Sequence, residues 1–208
     1  MFNHSELSKI IDEVLLFEEV PLNDIPDIDL YVDQVNAFID KKLAHLKRHE
    51  KDKLLTKTMI NNYTKAGLLM PPSKKKYSRE HIALLILVYS SKHILSINDI
   101  SMLFGPLLNP GEGKTGYSAS SIAASVDQIY SLTQAINRDH STDFNSVCAD
   151  KMESIQKMTA DMGCGDLEQV EWFLMVMFLV SQAALQKRLA EKIIDEHFKK
   201  EVPHKTKS

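Results

Sequence analysis

The sequence predicts an all-α protein. Apolar residues recur at helical spacing along most of its 208 residues, and strand signals are almost absent. Seven glycines and seven prolines are too few for a β-rich or low-complexity chain. A hydrophobic content of 44% and a charged content of 25% are ordinary for a globular protein, and this length allows one large domain or two small ones.

The first predicted helix spans residues 5 to 19, with Ser5 as its N-cap. Its leucine, isoleucine and valine side chains form one apolar face, while acids run through the segment and no basic region precedes it. We therefore expect an amphipathic helix rather than a signal peptide. An acidic linker bracketed by two prolines, PLNDIPDID, follows.

Two further helices are predicted from their end signals. Asp29 is expected to cap a helix that runs to about Arg48. Thr56 is expected to cap a short helix that ends at Ala66, where Gly67 supplies the left-handed stop.

Pro71-Pro72 prevents any continuation of that short helix. The residues around it, 69 to 77, are expected to form at most a tiny hairpin. Ser78 then begins a helix that ends near His93. The sequence thus predicts a short helix, a turn and a longer helix in close succession.

Ser96 and Asp99 form a capping-box-like start for a short helix to about Phe104. The glycine- and proline-rich stretch 105–117 is predicted to be an interdomain linker. Beyond it, helical patterns predict three stretches, at about 118–138, 143–162 and 167–200.

The run WFLMVMFLV, residues 172 to 180, contains nine consecutive apolar residues. A membrane span needs about 20, so we expect a helix buried at the centre of a bundle and no membrane partner. The methionines of this half leave three interpretations open, which are core packing, an oligomer interface and a small-molecule pocket.

Positive charge is concentrated between residues 41 and 92, which hold thirteen Lys or Arg and three acids, whereas the preceding forty residues hold ten acids and one Lys. Such a basic, turn-punctuated segment is typical of a surface that binds the phosphates of nucleic acid. Asparagine can pair with adenine, and lysine with phosphate or guanine. The candidate DNA-binding residues are Lys57, Asn61, Asn62, Lys65, Lys74, Lys75, Lys76 and Arg79.

Residues 54 to 104 resemble the winged helix-turn-helix of MerR-type regulators. The resemblance is carried by Tyr63, Gly67-Leu68-Leu69, Pro71-Pro72, Tyr77-Ser78 and the segment SINDI at residues 96–100. The longer run from about 25 to 104 is also similar to a bacterial family known as domain of unknown function 1836. The resemblance implies a double-stranded DNA-binding transcriptional regulator.

The predicted organisation has four parts, which are an N-terminal helix and linker (1–24), a MerR-like winged-helix module (25–104), the interdomain linker (105–117) and a helical domain that dimerises (118–208). We expect a cytoplasmic homodimer without enzymatic activity. An alternative is a protein-interaction module whose basic face binds an acidic protein segment, including the chain's own acidic N-terminal region.

Other chemical signals are weak. The loop GEGKTG lacks the strand and the first glycine of a phosphate-binding loop. His45 and His49 have metal-compatible spacing without a third ligand. Cys148 and Cys164 are too few for a disulfide framework and fit a reducing compartment. We therefore expect no cofactor, no metal and no catalytic residue.

Overall fold

The structure, a computed structural model, describes residues 4–15, 20–108, 125–163 and 166–198. These residues form seven α-helices and one two-stranded antiparallel sheet, which confirms the predicted mostly helical class. In chain order the elements are α1 (His4–Leu15), β1 (Leu30–Tyr31), α2 (Val32–Lys42), α3 (Lys57–Lys65), β2 (Lys76–Tyr77), α4 (Arg79–Ser91), α5 (Ile97–Leu108), α6 (Val126–Thr159) and α7 (Leu167–His197).

The chain divides into two compact units. The larger unit comprises Val20–Leu132 together with Leu189–Ser208, and the smaller unit comprises Met1–Glu19 together with Thr133–Arg188. Helices α6 and α7 are each divided between the two units, at residues 132/133 and 188/189. Most of the predicted linker, from residue 109 onward, lies outside the described residues, and the predicted four-part division stays a prediction.

Helix α4 is the buried central helix of the larger unit. Leucine, isoleucine, valine and alanine cover it on all sides, as expected for a helix surrounded by core. Eight of its 13 residues are buried: His81, Ile82, Ala83, Leu84, Leu85, Ile86, Val88 and Tyr89. The start of α6 joins the same core through Tyr130, whose hydroxyl donates to the Val20 carbonyl at 2.7 Å.

Both ends of α3 follow the sequence prediction. The Thr56 hydroxyl accepts a hydrogen bond from the Met59 N–H at 3.2 Å. At the other end, Gly67 has a φ of +72° and the Leu68 N–H donates to the Tyr63 carbonyl at 2.9 Å, which is a Schellman stop. These local signals fix the length of the helix.

The two following helices also begin where expected. Ser78 precedes α4, and Ser96 and Asp99 cap α5 reciprocally, with N–H to side-chain oxygen distances of 3.1 and 3.2 Å. Helix α5 nevertheless continues past the predicted end at Phe104 and contains Pro106. The three leucines of its second half pack against the larger core, which offsets the disruption that proline causes.

The predicted start and end of the second helix were wrong. Strand β1 takes up the residues after Asp29 and pairs with β2, with Leu30 opposite Tyr77. Helix α2 therefore begins at Val32, and it ends at Lys42 rather than at Arg48. A strand of two residues has too little pattern to be recognised without its partner.

The predicted break between residues 138 and 143 was also wrong, because α6 runs without interruption through 34 residues. The sequence there contains Asp, Ser and Thr but neither Gly nor Pro. Residues of modest helix propensity lower helix stability without ending the helix. The predicted three C-terminal helices are thus two long ones.

In the smaller unit, α1 packs against the adjoining parts of α6 and α7 through Leu7, Ile11, Cys148, Met152, Ile155 and Met175. Among the described helices, α7 alone is long and apolar enough to cross a membrane by length and composition. Only 6% of its most apolar window is buried, so the predicted central burial of residues 172–180 was wrong. A three-helix unit has one interior, and α7 turns only one face toward it.

Candidate nucleic-acid interface

Helix α3 presents a continuous polar face to solvent. At 100° per residue, its exposed side chains span an arc of about 140°. This exposed face of α3 consists of Lys57, Thr58, Asn61, Asn62 and Lys65. The opposite side is anchored in the core by Ile60 and Tyr63, which are 0% and 6% exposed. All four predicted residues of this helix therefore lie on one accessible surface.

A tight turn precedes β2. The Lys76 N–H donates to the Ser73 carbonyl at 2.8 Å, and the two residues between them, Lys74 and Lys75, have φ angles of 50° and 65°. This is a two-residue hairpin of type I′, which we call the lysine turn (Ser73–Lys76). Both lysine side chains are exposed.

The lysine turn places strained residues at its tip. A left-handed conformation costs a residue with a Cβ atom about 1–2 kcal/mol, and Asn-Gly is the pair that such turns prefer. A Lys-Lys pair here gives up stability that another sequence would retain. Strain of this kind concentrates where function requires particular side chains.

Lys76 and Arg79 differ from the other candidates. Lys76 is half-buried, with Nζ 5.2 Å from the centre of the Tyr31 ring. The Arg79 guanidinium donates to the Asp127 carboxylate at 2.6 Å and lies 3.6 Å from an oxygen of Asp27. The Asp127 hydrogen bond and charge raise the pKa of Arg79. Arg79 thus holds the start of α4 against neighbouring segments.

The partners of the basic residues separate them into two groups. Lys42 pairs with Asp24 at 2.7 Å, and Lys47 pairs with Asp40 at 3.2 Å. By contrast, among the described residues no carboxylate pairs with the candidate lysines of α3 or of the tip of the turn, which are Lys57, Lys65, Lys74 and Lys75. Four positive charges are therefore available to an external anion.

Lys92, at the end of α4, belongs to the basic segment (residues 41–92) but not to the group of lysines available to an external anion. Its Nζ donates to the Leu54 carbonyl at 2.9 Å and lies 4.1 Å from the centre of the Tyr89 ring. Burial lowers the pKa of this lysine. Lys92 thereby secures the segment that leads into α3.

His81 is a buried residue of this region that the sequence did not single out. Its Nδ1 atom accepts a hydrogen bond from the Ser78 N–H at 3.1 Å, so the imidazole completes the N-terminal cap of α4. Burial lowers the pKa of His81, and the nearby carbonyls of Pro71 and Met70 oppose that effect. The Tyr77 ring of β2 lies edge-on to the imidazole, with 5.6 Å between the ring centres. The buried Nε2 atom has no hydrogen-bond partner among the described residues. Neutral His81 therefore links β2 to the start of α4.

We expect the free energy of unfolding to fall as the pH drops below about 6.5, the ordinary histidine pKa in an unfolded chain. Because the folded-state pKa of His81 is lower, the unfolded chain binds more protons in that range. His81→Gln retains an acceptor for the Ser78 N–H and cannot titrate. Urea unfolding between pH 7 and pH 5 should show a smaller acid loss for this variant.

His93 supplies part of the same acid dependence, since burial and then the charge of Lys92 lower its pKa too. The His81→Gln variant should therefore keep a reduced dependence rather than none. Identical acid sensitivity in the variant and the wild type would contradict the assignment to His81.

The sequence predicts no site at the histidine pair, the two cysteines or the GEGKTG loop. The side chains of His45 and His49 are exposed, and within the described ranges no group of three metal-binding side chains comes together. Cys148 is buried, which raises the pKa of its thiol. Cys164 and the GEGKTG loop lie outside the described residues.

Residues 20–138 match the family model described as Domain of unknown function (DUF1836). The match covers more than half of the chain and begins at Val20, the residue at which the larger unit also begins. No curated protein and no solved structure matches the chain. The family description states no activity.

Proposed function

We propose that this chain, which belongs to the DUF1836 family, binds double-stranded DNA through the exposed face of α3 and the lysine turn and acts as a transcriptional regulator. One observation carries the proposal. The lysines of these two elements are exposed and have no carboxylate partner among the described residues, whereas Lys42, Lys47 and Lys92 of the same segment are paired or packed. The order of a short helix, a hairpin and two helices also supports a MerR-like winged helix-turn-helix.

Helix α3 would contact bases, and both α3 and the lysine turn would contact phosphates. Helix α3 has 9 residues and a polar face of suitable size for a major groove about 12 Å wide. Asn61 and Asn62 lie on that face and can each make a bidentate contact with adenine. Lysines of α3 and of the turn would contact phosphates, which set orientation without reading sequence.

The test is retardation of mixed genomic DNA fragments by the wild-type protein. Four phosphate contacts imply that the logarithm of affinity falls with that of salt at a slope of about −3.6, so affinity should drop roughly 100-fold between about 50 and 200 mM salt. No retardation at the lower salt concentration would contradict the proposal. Retardation that does not respond to salt would contradict the phosphate contacts.

A second candidate function is binding to an acidic protein segment. It is favoured by the acidic linker, whose Asp24 and Asp27 already lie against Lys42 and Arg79. Asp24→Asn combined with Asp27→Asn should then expose new binding to a polyglutamate peptide. If DNA fragments are retarded and the peptide is not bound by either protein, the DNA proposal is preferred.

A further inference from the structure

Helix α7 carries an apolar face that the described residues leave uncovered. Phe173, Val176, Met177 and Val180 are between 45% and 63% exposed and lie within an arc of about 100°. Every residue from 181 to 188 is exposed as well. An apolar strip of this kind on a helix of a small unit marks a binding surface for protein or membrane.

The opposite face of the same helix is committed to the core of the smaller unit. Met175 is 2% exposed, and Trp172, Leu174, Phe178 and Leu179 pack beside it. The Thr159 hydroxyl donates to a carboxylate oxygen of Glu171 at 3.2 Å on that side. Lipid could surround α7 only if this core were lost, and nine apolar residues cover about 14 Å of a hydrocarbon layer about 30 Å thick.

We propose that the exposed face of α7 is a homodimer interface in which two copies of α7 pair antiparallel about a two-fold axis between Val176 and Met177. This register sets Phe173 of one copy opposite Val180 of the other. It also sets Gln169 opposite Ala184. The strip is thus apolar at its centre in both copies, as a two-fold interface requires.

Charge at the two ends of the strip selects the antiparallel direction. Asp166, which caps α7 by accepting from the Gln169 N–H at 3.2 Å, lies opposite the partner's Lys187 in this register. A parallel pair would instead bring Asp166 near Asp166 and Lys187 near Lys187. Opposite charges facing each other favour one arrangement, and like charges disfavour the other. The inference does not rest on DNA binding.

The strength of association is tested by sedimentation equilibrium of the full chain. The wild type should be a dimer at about 10 μM. Val176→Glu with Val180→Glu should weaken dimerisation by about 100-fold or more, because unpaired carboxylates would be buried in the interface. Ile136→Glu, on α6 and 68% exposed, is the matched control and should leave the dimer intact.

The direction of pairing is tested by disulfide formation in a Cys164→Ser background. Gln169→Cys and Ala184→Cys should each stay unlinked alone and should form a linked heterodimer when mixed, because only opposite positions come within disulfide distance. Self-linking of either single variant would indicate a parallel pair and overturn the register.

Three further results would overturn the interface itself. They are a monomeric wild type at about 100 μM, a dimer that survives both glutamate substitutions, and a monomer that floats with phosphatidylglycerol vesicles. The last would assign the strip to a membrane surface. Each readout is independent of DNA retardation, so failure here and failure of the proposed function are distinguishable.

Discussion

Replacing Lys65, Lys74 and Lys75 together by alanine is expected to lower duplex affinity by roughly 100- to 1,000-fold near 100 mM salt. Each lysine that contacts a phosphate releases about one counterion, so the salt slope should become shallower by about 3. The loss should be similar on all sequences, because these contacts do not read bases. Titration of a fluorescent duplex at several salt concentrations measures both quantities.

The matched control is Lys41, Lys51 and Lys53 replaced by alanine. These lysines are exposed and belong to the same basic segment. Their replacement removes the same net charge as the first triple substitution. They lie outside α3 and the lysine turn, so the control should retain most of the affinity and of the slope. Equal losses in the two triple variants would mean that net charge, not this surface, governs binding.

Replacing Lys74 by Asn and Lys75 by Gly is expected to stabilise the protein while weakening DNA binding. The Asn-Gly pair accepts positive φ. The free energy of unfolding should therefore rise by about 1–2 kcal/mol, after the entropic cost of glycine is subtracted. Loss of two phosphate contacts should lower affinity by roughly 10- to 100-fold. Urea unfolding measures the first effect and duplex titration the second.

The control for this variant is Lys74→Ala with Lys75→Ala. Alanine retains the Cβ atom that strains the turn, so this protein should lose affinity without gaining stability. A stability gain in both variants would contradict strain as the cause. Full affinity in the Asn-Gly variant would exclude the turn from the DNA contact.

The short-range features of the region could be predicted from the sequence. Thr56, Gly67, Ser78 and Ser96 act within about four residues, through caps and turns whose chemistry depends on the local residue types. The polar face of α3 could also be predicted from the sequence, since helical periodicity alone separates Asn61 from the core residues. The predicted positions of these elements were therefore confirmed.

Long-range features could not be predicted in the same way. Arg79 meets Asp127 across 48 residues, and β1 exists only because β2 lies beside it. The sequence of α7 shows that the helix is apolar, but not which face the smaller unit covers. Apolar composition is shared by core helices and interface helices, so burial depends on the number of neighbours. The positive φ angles of Lys74 and Lys75 could not be predicted either, because lysine is not a residue type that signals such a turn.

The most direct test of a single DNA-binding surface is the acetylation rate of each lysine with and without a bound duplex, measured by mass spectrometry. We predict that Lys57, Lys65, Lys74 and Lys75 are protected together by the duplex, while Lys41 keeps its rate. Unchanged rates at all of them, or protection of α3 without the lysine turn, would contradict the account.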